Sequence, residues 1–153
     1  MEIAGRLHTD LPERLEVYAE KLRLFPDGCR MLTVNGAVAG YGIAHPWKLH
    51  RIPPLDEFLH ELPQRADCLH VHDVAVLPAH RGGASAASYI ETIAALAGSA
   101  RIGALALVSV YETDLLWERL GFRTVDPDAA LRAKLRSYGK TAKYMVRDLS
   151  AGA

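Results

Sequence analysis

Apolar positions along the chain change period several times, and each change marks an expected element. Leu15, Tyr18, Ala19 and Leu22 recur at helical spacing, which predicts a helix with that stripe in the core. Asp10 is its expected cap, with Pro12 and Glu13 in the first turn, and a short strand over 1–8 precedes it. Strands over 29–34 and 38–43 flank Asn35-Gly36, a pair suited to a two-residue hairpin because both residues tolerate positive φ. The stretch 45–64, with prolines at 46, 53, 54 and 63, reads as a long loop holding a short helix over 55–62. A dense apolar strand over 68–77 runs into Arg81-Gly82-Gly83, where a helix opens and continues to about residue 97. The segment 104–110 is almost purely apolar, as in a strand covered on both faces. A short helix over 111–120 stops at Gly121, strands follow over 122–125 and 140–146, and a helical piece over 128–135 lies between them. Hairpins in the first half and a βαβ crossover in the second predict an α/β fold, a mixed sheet with helices on both faces.

Composition narrows what such a fold does. A chain of 153 residues fits one domain over 1–153. Lys plus Arg equals Asp plus Glu at 18 each, so no basic excess points to nucleic acid as a partner. Cys29 and Cys68 lack metal-site spacing and the seven histidines are scattered, so no metal is expected. With no leader at Met1-Glu2-Ile3 and no apolar run near the roughly 20 residues of a membrane span, the expectation is a cytoplasmic protein with reduced thiols and no membrane partner.

Two constellations carry chemistry. In DVAVLPAHRGGASA, a strand ends in a Gly-rich turn that opens a helix, and free backbone N–H groups there suit an anion. The turn is neither a Walker loop nor a G-x-G-x-x-G fingerprint, which argues against nucleotide hydrolysis and classical dinucleotide binding. The second is LALVSVYETDLLWERLGFRTV, a covered strand, a short helix and a closing WERLGF.

VAVLPAHRGG, followed at this distance by a strand and WERLGF, resembles the GNAT N-acetyltransferase superfamily. That resemblance implies a mixed, mostly antiparallel central sheet flanked by helices on both faces, and acetyl-CoA as acyl donor. It implies that backbone N–H groups of Arg81, Gly82, Gly83, Ala84, Ser85 and Ala86 hold the CoA pyrophosphate. It also implies that Val74 and Val76 pair with the pantetheine arm and acetyl carbonyl, while Leu116 and Trp117 pack beside the thioester. The activity implied is acetyl transfer to a primary amine of a small molecule or peptide, by direct attack in a ternary complex, with a homodimer through Tyr144-Met145-Val146 as an option. Ala84 stands where the family's central glycine usually is, and Trp117 where a tyrosine commonly protonates the departing thiolate. These departures leave a second reading open, a catalytically quiet acyl-CoA-binding or sensing module.

Attack on a thioester needs a neutral amine, hence a base or a water chain. His70, His72 and Asp73 on the fourth strand are candidates, the histidines on one face and Asp73 on the other by simple alternation. Glu112 is a further one. The catalytic set taken forward is His72, Asp73 and Tyr111, the last as proton donor to the thiolate.

Overall fold

The structure, a computed structural model, describes residues 12–150; the expected strand over 1–8 and the Asp10 cap lie outside them. Asn35 and Gly36 adopt φ of 52° and 80°, and the hairpin closes around them, with β1 (Arg30–Val34) antiparallel to β2 (Ala37–Trp47). β2 is longer than its apolar run suggests, because it continues through His45, Pro46 and Trp47 to pair with β3 (Cys68–Val76). β3 pairs in parallel with β4 (Ala104–Ser109) across the crossover helix α2 (Ser85–Ser99). The sheet is completed by the two-residue β5 (Arg123–Thr124) and β6 (Lys143–Asp148), in the order β1-β2-β3-β4-β6-β5. All its pairings are antiparallel except β3 with β4.

Each face of the sheet has its own core. On one, α2 and the short α3 (Asp114–Arg119) bury Ile90, Ile93 and Trp117 over Leu69, Val71, Leu105 and Leu107. On the other, α1 (Leu15–Leu24) packs Tyr18 on Ile43, and α4 (Ala129–Leu135) packs Leu131 and Leu135 over Ala104, Ala106 and Tyr144. Tyr144 and Met145 are wholly buried inside the chain, so their side chains are not available as the dimer surface expected of them. Asp128 caps α4, accepting from the Leu131 N–H at 2.8 Å.

Three further expectations are corrected. No helix forms over 55–62; the segment is an irregular loop with left-handed Asp56 and His60, pinned by hydrogen bonds from Leu59 N and His60 N to the Glu20 carboxylate. Those bonds replace the helical ladder. The buried face of α1 is Val17, Tyr18, Glu20 and Lys21, whereas Leu15 and Leu22 are 57% and 54% exposed and Ala19 is exposed. The buried face meets polar groups: Glu20 takes the two loop amides, and the Tyr18 hydroxyl donates to Asp73. Its first turn also starts later than the sequence suggests, at Leu15, so Glu13 precedes it.

Gly42 is required by packing. A Cβ there would lie 2.5–2.7 Å from the Tyr89 ring, which is tethered by its hydroxyl to the Gly28 carbonyl at 2.8 Å. Gly42→Ala is therefore expected to lower the unfolding free energy by about 1–3 kcal/mol, as overpacking does, read from urea unfolding.

Candidate functional site

β3 and β4 stay paired only from Leu69–Leu105 to Val71–Leu107, and beyond that point no ladder joins them. Between the separated ends opens a cleft of about 640 Å³, whose walls include His72, Asp73, Val74, Val76, Tyr111 and Trp117. Leu77 N donates to Ala39 O at 2.8 Å, toward β2. By alternation the N–H and C=O of Val76 and Val74 point the other way, toward the cleft. Arg81 Nε donates to Val76 O at 2.9 Å from that side, folding the arginine back along the cleft mouth.

The mouth is the turn into α2. Gly82 takes the left-handed position there, φ 86°, while Ala84 has φ −86° and ψ 14°, a negative φ that does not call for glycine. The alanine that replaces the expected glycine thus escapes the positive-φ penalty. No side chain caps α2, so the amides of its first turn have no side-chain partner. Arg81, Gly82, Gly83, Ser85 and Ala86 border the cleft; Ala84 borders the adjoining cavity of about 530 Å³ between α2 and the β1–β2 hairpin.

The opposite wall leaves β4 through Tyr111 and Glu112, both left-handed at φ 54° and 58°. Consecutive non-glycine residues in that region hold strain of order 1–3 kcal/mol each. Leu116 and Trp117 line this wall. The indole N–H of Trp117 donates to Thr113 Oγ1 at 3.1 Å, and that hydroxyl donates to Val110 O at 2.7 Å. The indole therefore braces α3 against the end of β4.

The inner end of the cleft depends on an irregularity in β3. Ile43 pairs with Asp73 and the next residue, Ala44, pairs with Val71, so His72 is an extra residue, a β-bulge. Because β2 keeps its alternation, Asp73 opposite Ile43 and His70 opposite His45 lie on the same face. Simple alternation had placed Asp73 on the other. The bulge brings His72 and Asp73 together at a small cavity of about 40 Å³, which shares Val108 and Val110 with the cleft and is closed by Glu13, Tyr18, Leu55 and Tyr138.

His72 Nε2 lies 2.7 Å from Glu13 Oε1, with the two side chains 1% and 5% exposed. Burial works to raise the Glu13 carboxyl, but the His72 hydrogen bond and charge, with Lys21 nearby, hold it below its ordinary value. Asp73 Oδ2 accepts from Tyr41 at 2.6 Å and from Tyr18 at 3.1 Å. Burial and the Asp73 charge push both phenols up, so each keeps its proton. Glu13, Tyr18, Tyr41 and Tyr138 escape sequence reasoning. Tyr18 reads as core, and Glu13 as a helix-capping residue, with no motif tying it to a histidine 59 positions on.

His70 is not placed to act as a base. It is 2% exposed, borders neither the cleft nor the small cavity, and is kept neutral by burial and by His45 and His72. His45 is pushed down to about 3, by burial first and His72 second. Glu112 is exposed at the turn after β4. Cys68 is buried and its thiol is pushed up to about 12, as expected of a small apolar filler. Among the described residues no group of His, Cys, Asp and Glu could hold a metal ion, and no helix is long and apolar enough to cross a membrane.

No family model and no curated protein sequence matches the chain. Solved structures do. N-acetylglutamate synthase from Neisseria gonorrhoeae, complexed with coenzyme A and N-acetyl-glutamate, matches at a TM-score of 0.70 and 18% identity, over 97% of this chain and 31% of that one. Ard1 from Thermoplasma volcanium matches at 0.69 and 13% identity, over 97% and 87% of the two chains. Naa20 from Chaetomium thermophilum, in complex with a bisubstrate analogue, matches at 0.69 and 16% identity, over 98% and 82%. The chain has the GNAT acetyltransferase fold. It spans less than a third of the length of the synthase and most of the other two. The mixed, mostly antiparallel sheet implied by VAVLPAHRGG and WERLGF is thus the one observed.

The buried histidines make stability depend on pH. An unfolded histidine titrates near 6.5. His45 takes up its proton only near 3 in the fold, so between these values the unfolded chain binds more protons. Its contribution is full above about 6.5 and is lost as pH falls, at up to about 1.4 kcal/mol per pH unit. His70 shifts in the same direction. In urea unfolding from pH 6.5 to 4.5, His45→Asn is expected to flatten this slope by about 1 kcal/mol per pH unit.

Proposed function

We propose that this chain transfers an acetyl group from acetyl-CoA to a primary amine of a small molecule or peptide, by direct attack in a ternary complex. The observation that carries this reading is the splayed β3–β4 cleft, with uncapped helix amides at its mouth and a Glu13–His72 pair at its inner end. Acetyl-CoA fits the mouth: amides at Arg81, Gly82, Gly83, Ala84, Ser85 and Ala86 would bind its pyrophosphate at the positive end of the α2 dipole. The outward amides of Val74 and Val76 would take the pantetheine arm and polarise the acetyl carbonyl. Leu116 and Trp117 would exclude water beside the thioester. Neisseria N-acetylglutamate synthase and Chaetomium Naa20, whose structures hold coenzyme A and a bisubstrate analogue, lend the reading support through the shared fold.

The acceptor would enter from the side of α1 and the loop after β2. Glu13, as a carboxylate, requires hydrogen on His72 Nε2, which leaves the lone pair on Nδ1, and Nδ1 has no partner among the described residues. His72 would take the proton of the attacking amine there, directly or through a water, with Glu13 stabilising the imidazolium. As the C–N bond forms and the C–S bond breaks, the thiolate needs a proton. The Trp117 indole is bound to Thr113 and is no acid, so Tyr111 is assigned that role. Asp73, held by Tyr18 and Tyr41, would orient the ammonium before it is deprotonated. A catalytically quiet acyl-CoA-binding module loses its backbone argument, since Ala84 does not need positive φ.

The test has two stages. Acetyl-CoA at about 100 times its dissociation constant should add about 2.7 kcal/mol of apparent stability, seen as a raised Tm that ATP does not reproduce. In a panel of primary amines scored by thiol release, His72→Gln should then lower turnover by about 100-fold or more while the acetyl-CoA shift in Tm persists. An unshifted Tm at millimolar acetyl-CoA would overturn the reading. A shift without turnover on any amine would leave the quiet module.

A further inference from the structure

The loop after β2 meets the Glu13–His72 pair at one atom. Glu13 uses Oε1 on His72 at 2.7 Å and Oε2 to accept from the backbone N–H of Asp56 at 3.2 Å. Both oxygens of the carboxylate are thus assigned, one to the imidazole and one to the loop. Asp56 offers its amide there in a left-handed conformation, φ 55°. A non-glycine residue keeps that conformation only where its surroundings enforce it.

The other hydrogen bonds on Asp56 come from Arg14, the neighbour of Glu13. Its backbone N–H donates to Asp56 Oδ1 at 2.7 Å, its Nε reaches both carboxylate oxygens at 3.1 and 3.2 Å, and its Nη2 donates to the Asp56 carbonyl at 2.8 Å. Arg14 is also the residue immediately before α1, so the Asp56 carboxylate sits at the positive end of that helix. The Arg14 amide, first, and its guanidinium hold the Asp56 carboxyl below the usual carboxylate range. The guanidinium further lies 5.5 Å from the Phe58 ring centroid, two residues along the loop. The pair itself is exposed, and an exposed ion pair adds little to stability. Its geometric consequence is larger: it fixes the one loop amide that occupies Glu13 Oε2, and Leu55 beside it closes the small cavity next to His72.

We propose that Arg14 and Asp56 are positioning residues for the reaction, a clasp through which the acceptor-side loop holds Glu13 against His72; this rests on the reading of His72 as the base. The loop then bears on the proton acceptor as well as on acceptor shape. An acceptor that displaces the 55–56 turn weakens the Glu13–His72 contact, and one that fits under it preserves the contact.

The measurement is the imidazole ring ¹⁵N shifts of His72 in the full chain, followed with pH and assigned by their loss in His72→Gln. The other charged or titratable groups packed around the pair are Lys21 and Tyr18 from α1, His45 from β2, His70 and Asp73 from β3, and Tyr138 after α4. They are unchanged in the variants, so a shift reports the Glu13 contact. Glu13→Gln sets the scale by removing the carboxylate. Asp56→Ala is expected to move the His72 shifts at least half of the way to the Glu13→Gln values, and Asp56→Asn by less. Arg14→Ala, on the exposed side of the clasp, is expected to do the same and carries the test if Asp56→Ala does not fold. Ring shifts that stay at wild-type values in the folded variants overturn the proposal and leave the clasp a staple of the loop. His72→Gln with wild-type thiol release overturns the base reading instead, without altering what the ring shifts say about the clasp.

Discussion

When one strand of a pair carries an extra residue, it bends and its side chains change faces at that point. In β3 that residue is His72, and most of the site follows from it. Up to Val71 the strand runs beside β4; from His72 onward the two no longer pair, and the cleft opens between them. The same residue cancels the alternation that would have sent Asp73 through the sheet. An imidazole and a carboxylate from consecutive positions therefore meet Glu13 and Tyr18 on the face covered by α1. A regular strand of the same sequence would have kept only one of them on that face.

That face also explains the unusual inner surface of α1. A helix lying on a sheet normally buries its aliphatic stripe. Here it exposes Leu15 and Leu22 and buries Glu20 and Lys21, with Lys21 fully covered and its ammonium held below the ordinary lysine range, by burial first. Burying polar groups is costly unless they find partners. Glu20 recovers the cost by taking two loop amides, and Glu13 by taking one loop amide and His72. The long loop after β2 thereby acquires a fixed path without secondary structure of its own.

Around the mouth, strain and its relief are divided between residues. Gly82 absorbs the left-handed turn into α2, so Ala84 stays in ordinary geometry. On the far wall no glycine is supplied, and Tyr111 and Glu112 take left-handed conformations in succession. Thr113 and Trp117 lock that turn through a short chain of hydrogen bonds back to Val110. The two walls are thus set independently, one by a flexible residue and the other by a braced one.

The amino-acid sequence alone determined what depends on neighbouring residues. Asn35-Gly36 specified the hairpin, Gly82 the turn into α2, and the apolar run 104–110 a strand covered on both faces, which is where β4 lies. VAVLPAHRGG and WERLGF were enough for the fold, and Val74, Val76, Arg81, Leu116 and Trp117 of these segments line the cleft. Tertiary structure alone decided the faces and the partners. Whether β3 is regular at His72 depends on its register with β2, which no local preference encodes. Which side of α1 is buried depends on the polar surface beneath it, and this overrode a clear aliphatic period at Leu15, Tyr18 and Leu22. Glu13 and His72 lie 59 positions apart, and only the folded chain brings them within 2.7 Å. Hydrogen bonds between buried polar groups are specified by position in space rather than by spacing in the chain, so the fold was legible and the Glu13–His72 end of the cleft was not.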